Sequence, residues 1–492
     1  MKLFKTLSMA LILILIFVGA SQAATYYVTQ TGTGDGTSYA AASSVAELNA
    51  NTHFTPAGDD TIYFCDTITS QVVPPTSGTA GHVITYRGDY AGHAGVITGV
   101  NFGNSSSGAF KIYNKNYITV MALTVTLTTA NGPSYGTGAY EGHGFYLQNA
   151  QYITLDGVTS TWNKHNGVWA FGGSANYIIQ NSTISFNYAS GFLASDGAGA
   201  GTLRYNIADQ NGQEVSNRCA PSDTGRSFHH AIYATEDTTG EMLYYNNILS
   251  NTRCGHGLKM KSTATAYNNW IEGNSCSNVY LVQKGGYAST KKLYNNVIIN
   301  PVVNQHGWSS NITWYDEDAG ASTQTIYVYN NTLYSTNGHG IISVYQDGLP
   351  PTNWYIKNNI IYIGSASGWA FYFDNSGIPT GIIDIDYNLI YDTNATPFYW
   401  GTSHEYTLAQ WNALSFVGTD IAGNPLFNSI PSKQFWLQAT SPAKDAGTNL
   451  ASVGVVNDYA STPRPQGIAY DIGAYEYGLP YITGVSITGG TF

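Results

Sequence analysis

The chain has 492 residues, 54 of them Gly and 39 Tyr, with 43% hydrophobic, 14% aromatic and only 10% charged residues. So few charges exclude a coiled coil, and so many aromatics exclude a disordered chain. The net charge is −11, and −13 once Lys2 and Lys5 are removed with a leader, which opposes general binding to nucleic acid or to an anionic membrane.

The chain opens with Lys2 and Lys5, an apolar run from Met9 to Val18, and Ser21-Gln22-Ala23. A basic start, a short apolar stretch and a small-residue site predict a signal peptide over 1–23 and a secreted, periplasmic or cell-surface protein. The apolar run is too short to span a bilayer, and no later segment is long enough, so no membrane span is expected. Residues 24–478 are predicted to form one domain, with a closing segment from about 395 to 478. Residues 479–492 read as a tail or linker. The helical signal is confined to Thr407–Leu414.

Two motifs alternate through the middle of the chain. The first is Tyr245-Asn246-Asn247-Ile248, repeated at Tyr267-Asn268-Asn269-Trp270, Tyr294-Asn295-Asn296-Val297, Tyr329-Asn330-Asn331-Thr332 and Lys357-Asn358-Asn359-Ile360. The second asparagines are separated by 22, 27, 35 and 28 residues, the spread of one coil with loops of varying length. The second motif is a small residue or His, then Gly, then a period-2 strand. It occurs at His143-Gly144, Asn166-Gly167, Ser190-Gly191, His256-Gly257 and His339-Gly340, with His230-Ala231 as a variant. Alternation predicts Phe145, Val168, Phe192, Ile232, Leu258 and Ile341 inward. Asn tolerates a left-handed corner, and stacked Asn side chains can bond along the stack. One coil cannot bury its own apolar face, but a stack can.

These motifs resemble the right-handed parallel β-helix proteins of the pectate-lyase-like type. Tyr26-Tyr27-Val28-Thr29 with Gly32-Thr33-Gly34-Asp35-Gly36 resembles their opening segment. Asn424-Pro425-Leu426-Phe427, Ser441-Pro442-Ala443 and Tyr470-Asp471-Ile472-Gly473 resemble their closing segment. The resemblance implies an all-β solenoid with short terminal caps. It does not by itself fix a reaction, since the fold hosts lyases, hydrolases, epimerases and adhesive proteins.

Parallel coils about 4.8 Å apart turn equivalent positions into columns. One predicted outward column reads Tyr146, Trp169, Leu193, Tyr233, Lys259 and Tyr280. The next carries Lys261, and the column before the Gly carries His143, His230 and His256. Lys259 and Lys261 share one face, where each ammonium lowers the pKa of the other and moves one toward use as a base. From Arg253 to Lys292 six basic residues face one acid, Glu272, a local charge of +5 that predicts an anionic ligand. The excursion from Asp209 to Phe228 is predicted to wall the groove.

Leu258-Lys259-Met260-Lys261-Ser262 and the coil after it resemble the catalytic-lysine coil of alginate and chondroitin lyases with this fold. The resemblance implies β-elimination on an extracellular, anionic polysaccharide. Lys261 takes the base position, and Lys259 and Lys284 bind substrate carboxylates, with Arg253 beside them. His230, His256 or Tyr233 donates the proton, and Trp169, Tyr146 and Tyr280 stack sugar rings. No metal ligands are assigned. Ca²⁺ is the one cofactor the resemblance admits, although Arg253-Cys254-Gly255-His256 replaces the carboxylate pair that holds it. Two alternatives stay open. A glycoside hydrolase would use Asp196 with Glu236 or Asp237, in matching positions on consecutive coils. A non-catalytic carbohydrate-binding or adhesive surface protein would use the aromatic columns alone. The four cysteines, Cys65, Cys219, Cys254 and Cys276, admit three pairings. Among these, Cys254–Cys276 would join neighbouring coils and Cys219–Cys254 would pin the excursion.

Overall fold

Short strands, each with one apolar side, cannot stand alone, and the chain stacks them coil upon coil. The computed structural model describes residues 23–102, 107–128, 142–213, 229–302, 310–317, 322–336, 342–346, 352–364, 368–374, 381–401 and 404–478. The stretch predicted as a signal peptide (save Ala23), most of the 209–228 excursion and residues 479–492 lie outside these. Among the described residues, successive strands fall in turn into three long sheets of 12, 14 and 13 strands. Pairing within the sheets is parallel except at the last strand of the 12-stranded one, His404–Tyr406.

In the 12-stranded sheet Phe110, Phe145, Val168, Phe192, Ile232, Leu258, Val279 and Ile312 stand in one register, all buried. They line the lumen with residues from the other two sheets, forming one continuous core. The next place in this column belongs to Ile342, not Ile341: Ile342 pairs with Ile312, and Ile341 lies outside the described residues. The glycine before each strand answers a close approach. A Cβ on Gly257 would lie 2.6 Å from Asn274 Nδ2 and 2.7 Å from the Asn278 carbonyl oxygen.

The paired asparagines divide two tasks. The first of each pair, at 246, 268, 295, 330 and 358, turns the corner with φ between 50° and 57°. The second joins a buried ladder through 206, 247, 269, 296, 331, 359 and 388. At each rung the Oδ1 accepts from the backbone N–H and the Nδ2 of the preceding asparagine, at 2.9–3.0 Å. The ladder ends on Asp420, whose Oδ1 accepts from Asn388 N and Nδ2 at 2.8 and 2.9 Å. Corner amides that would otherwise be buried without partners are thereby satisfied.

The predicted helix in the closing region is present as Leu408–Trp411, capped by Thr407 and Gln410. A second helix, Val45–Ala50, corrects the expectation of one helical region. It begins with a Ser44/Glu47 capping box, a pattern visible in the sequence. The closing segment docks on the asparagine corners through Arg464. This residue is fully buried, paired with Glu476 at 2.6 Å and bonded to Asn295 Oδ1 at 3.1 Å. Cys254 is in a disulfide, while Cys65 and Cys276 are thiols. The Cys254–Cys276 bridge is therefore not made, and Cys219 lies outside the described residues.

Candidate functional site

Four adjacent strands of the 12-stranded sheet carry the site: Ile232–Ala234, Leu258–Met260, Val279–Gln283 and Ile312–Asp316. Their registers put Tyr233, Lys259, Tyr280 and Thr313 in one outward column. Lys259 Nζ stands over both flanking rings, 5.1 Å from the centre of Tyr233 and 5.3 Å from that of Tyr280. Lys261, Lys284, Glu236 and Glu317 follow the ends of the same strands, where the sheet face meets a corner.

There the three lysines meet two carboxylates. Glu317 accepts from Lys261 at 2.7 Å and from Lys259 at 3.4 Å, and lies 3.6 Å from Lys284. Glu236 lies 3.5 Å from Lys261 and 3.7 Å from Lys284. Lys259 and Lys261 keep only 10% and 4% of their side-chain surface, whereas Lys284 keeps 38%. Burial and the neighbouring Lys261 charge lower the Lys259 ammonium to about 8, against the opposing pull of Glu317. Burial pushes the Glu317 carboxyl up, but Lys259 and Lys261 outweigh it and hold it at about 2. The site thus contains one lysine that titrates near neutrality and one carboxylate that stays charged.

Several expectations are corrected by this geometry. The local charge of +5 is not left open. Glu236 and Glu317 neutralise the lysines from other coils, Glu272 pairs with Lys433 at 2.6 Å, and Lys291 points into the lumen. His230 and His256 face no groove. Both are buried, and each accepts a backbone N–H at Nδ1, from His256 and Ser277 respectively, at 3.1 Å. Burial first, and Lys259 second, pull both imidazoles well below the ordinary histidine value. They stay neutral and serve the corners, so neither is suited to donate the proton. Tyr146 and Tyr280 are also buried, and Tyr280 lies flat on His256 at 3.9 Å, so neither ring offers a free face to a sugar. Trp169 is half-buried, stacked on Phe171 at 4.1 Å, with Nε1 donating to Ser195 Oγ.

Arg253 stands apart, exposed, and bonds Gln213 Oε1 at 2.8 Å. The hydrolase pair built on Asp196 is not assembled as a free acid pair. Asp196 accepts from Ser195 Oγ at 2.9 Å, and Asp237 accepts from Gly197 N at 3.1 Å and from Thr235 Oγ1, all bonds that hold the turn. Glu317 was not singled out in the sequence, because it lies 56 residues beyond Lys261. Ca²⁺ does not fit the cluster. Its two carboxylates are engaged by ammonium groups, and no group of three or more His, Cys, Asp or Glu side chains that could hold a metal occurs among the described residues.

Residues 77–222 and 143–319 match the family described as the right handed beta helix region. The chain is a right-handed parallel β-helix. Pectate lyase Pel9A shares the β-helix at a TM-score of 0.51 and 15% identity, over 93% of this chain and 97% of that one. XylC, solved with xylose, does so at 0.53 and 10%, over 92% and 98%. No curated protein sequence matches the chain. Among the described residues of the β-helix, no helix is long and apolar enough to cross a membrane.

Proposed function

We propose that this β-helix is a secreted polysaccharide lyase that cleaves a uronate-containing polysaccharide by β-elimination. The observation that carries the proposal is Lys259, desolvated between two tyrosines and held at about 8 beside two further lysines. β-Elimination needs a base for the C5 proton, positive charge on the adjacent carboxylate and a proton for the leaving oxygen. Lys259, in its neutral form, takes the C5 proton. Lys261 and Lys284 hold the carboxylate and stabilise the charge that develops on it. The Tyr233 hydroxyl donates to the departing glycosidic oxygen. The base role thus passes from Lys261 to Lys259, because Lys261 is bound to Glu317 at 2.7 Å and is the better fixed cation.

A hydrolase remains the second reading, on a different pair from the one the sequence suggested. The Glu236 and Glu317 oxygens flank Lys261 Nζ at 3.5 and 2.7 Å, so they lie closer together than the ~6.5 Å minimum of an inverting acid pair, which leaves only a retaining arrangement. Hydrolysis needs one raised carboxyl as proton donor, whereas Glu317 is held at about 2. The deciding experiment incubates the protein with uronate polysaccharides and follows ultraviolet absorbance of unsaturated ends. Product that vanishes in Lys259→Met and Tyr233→Phe supports the lyase. Reducing ends without unsaturation, lost in Glu317→Gln, support the hydrolase. Binding without product refutes both.

A further inference from the structure

Among the described residues, positive charge is sparse along the outward column that contains Lys259. From Lys259 the outward column runs back through Tyr233, Leu193, Trp169 and Tyr146 before it meets another cation, Lys111. In the other direction it runs through Tyr280, Thr313 and Ser343. A homopolymer of uronates brings a carboxylate at every sugar, and this face offers a cluster for one.

Next to the cluster, over the corner leading into the 14-stranded sheet, lies a cleft of about 280 Å³. It is lined by Glu236, Thr238, Glu241, Lys261, Ser262 and Tyr287, among others. Its charged groups are two glutamates and one lysine, and that lysine, Lys261, is the one committed to the uronate carboxylate in the cluster. Glu241 is exposed and accepts from Thr265 Oγ1 at 2.5 Å. The Thr238 and Ser262 hydroxyls in the wall are buried and have no hydrogen-bond partner. Such groups call for donors and acceptors from a ligand. The Tyr287 side chain stands 53% exposed at the rim, while its carbonyl is fixed by Ser322 Oγ and Gln324 Nε2 at 3.1 and 2.6 Å. A flat apolar ring beside unpaired hydroxyls suits a sugar, and a net negative wall repels a second carboxylate.

We infer that this cleft is the subsite for a non-acidic sugar adjoining the uronate, so that the substrate is a polysaccharide in which uronates alternate with neutral or amino sugars. The inference rests on the uronate reading of the lysine cluster. It adds the identity of the neighbouring residue.

The test measures binding rather than cleavage. Calorimetry at pH 6, where Lys259 is protonated and turnover is slow, compares length-matched oligomers of one uronate. One is an oligoglucuronate. The other is a hyaluronan fragment, in which glucuronate alternates with N-acetylglucosamine. The alternating oligomer should bind about tenfold more tightly, the ratio set by one unfavourable carboxylate contact. Glu241→Gln should narrow the ratio roughly threefold by improving oligoglucuronate. Tyr287→Ala should weaken the alternating oligomer more than the other. Equal or tighter binding of oligoglucuronate, or a ratio unmoved by Glu241→Gln, overturns the inference. No binding of either oligomer overturns the uronate reading and this inference with it. The expected binding with no unsaturated product at higher pH removes β-elimination and leaves the subsite standing.

Discussion

If Lys259 is the base, its neighbours should move the pH dependence of turnover in opposite directions. Lys259 works unprotonated, so kcat/KM should climb with pH through about 8 and level off above it. Glu317 lies 3.4 Å from Lys259 Nζ and favours the ammonium, whereas the Lys261 charge disfavours it. Coulomb attraction at that distance is on the order of 1 kcal/mol with full solvent screening and about 5 kcal/mol at an effective dielectric of 20. The screened limit alone corresponds to about one pH unit. Glu317→Gln should therefore shift the rising limb to lower pH by about one unit or more. It should also tighten substrate binding, because a competing carboxylate leaves the lysines. Lys261→Met should shift the limb to higher pH by a comparable amount, on top of a lower plateau from the lost carboxylate contact. Initial rates of unsaturated product across the pH range read the limb. The ¹³Cε resonance of Lys259 in labelled protein reads the same titration without turnover. An ordinary lysine titration at Lys259, or both variants shifting the limb the same way, would refute the assignment.

The asparagine ladder predicts a stability effect. Asn269→Ala removes the acceptor of Asn247 N, one of the two acceptors of Asn247 Nδ2 (which keeps the Leu203 carbonyl at 2.9 Å) and the side-chain donor to the Tyr244 carbonyl, at about 1–3 kcal/mol for each bonding position left unsatisfied. A drop of at least ~3 kcal/mol in urea unfolding is expected, and a change under 1 kcal/mol would contradict the ladder's role. The buried Lys291 gives a pH signature. Its ammonium donates to Ser289 Oγ and, at 3.0 Å, to Gln324 Oε1, and burial lowers it to about 7. Between pH 7 and the ordinary lysine range the unfolded chain holds the proton and the folded chain does not, so stability rises with pH. The rise from pH 7 to 9 should be about 2 kcal/mol, and Lys291→Met should abolish it. A slope unchanged in that variant would place the titration elsewhere. Chelation should leave product formation unchanged, because Lys261 already occupies the space between Glu236 and Glu317. Loss of activity with EDTA, restored by Ca²⁺, would contradict that arrangement.

Much of the scaffold was legible because the signal is periodic. Tyr-Asn-Asn marks a left-handed corner followed by a ladder rung, and alternation after the Gly puts Phe145, Phe192 and Leu258 inside. The same alternation, read backward from Leu293, would have placed Lys291 inside too. The site was legible only where it is local. Lys259 and Lys261 sit two residues apart on one strand end, and their company was visible. Glu317 was not, since two coils of variable length intervene and no local count reveals which carboxylate comes round to meet them. His230 and His256 were misplaced for a different reason. They share the parity of the inward Ile232 and Leu258, so alternation gave no ground for placing them on the outward face; they belong to the corner before the strand, where the imidazoles accept backbone amides.

The asparagine ladder also has a polarity. Each rung hands its hydrogens to the next, so the last acceptor must need no successor, and the carboxylate of Asp420 fills that post, with Trp411 Nε1 donating to its second oxygen at 3.1 Å. A carboxylate there works as a full stop. Coils duplicated or deleted upstream leave the terminus intact, whereas an extra turn grafted beyond it would find no hydrogen on offer, so lineages of this protein should vary in length from within.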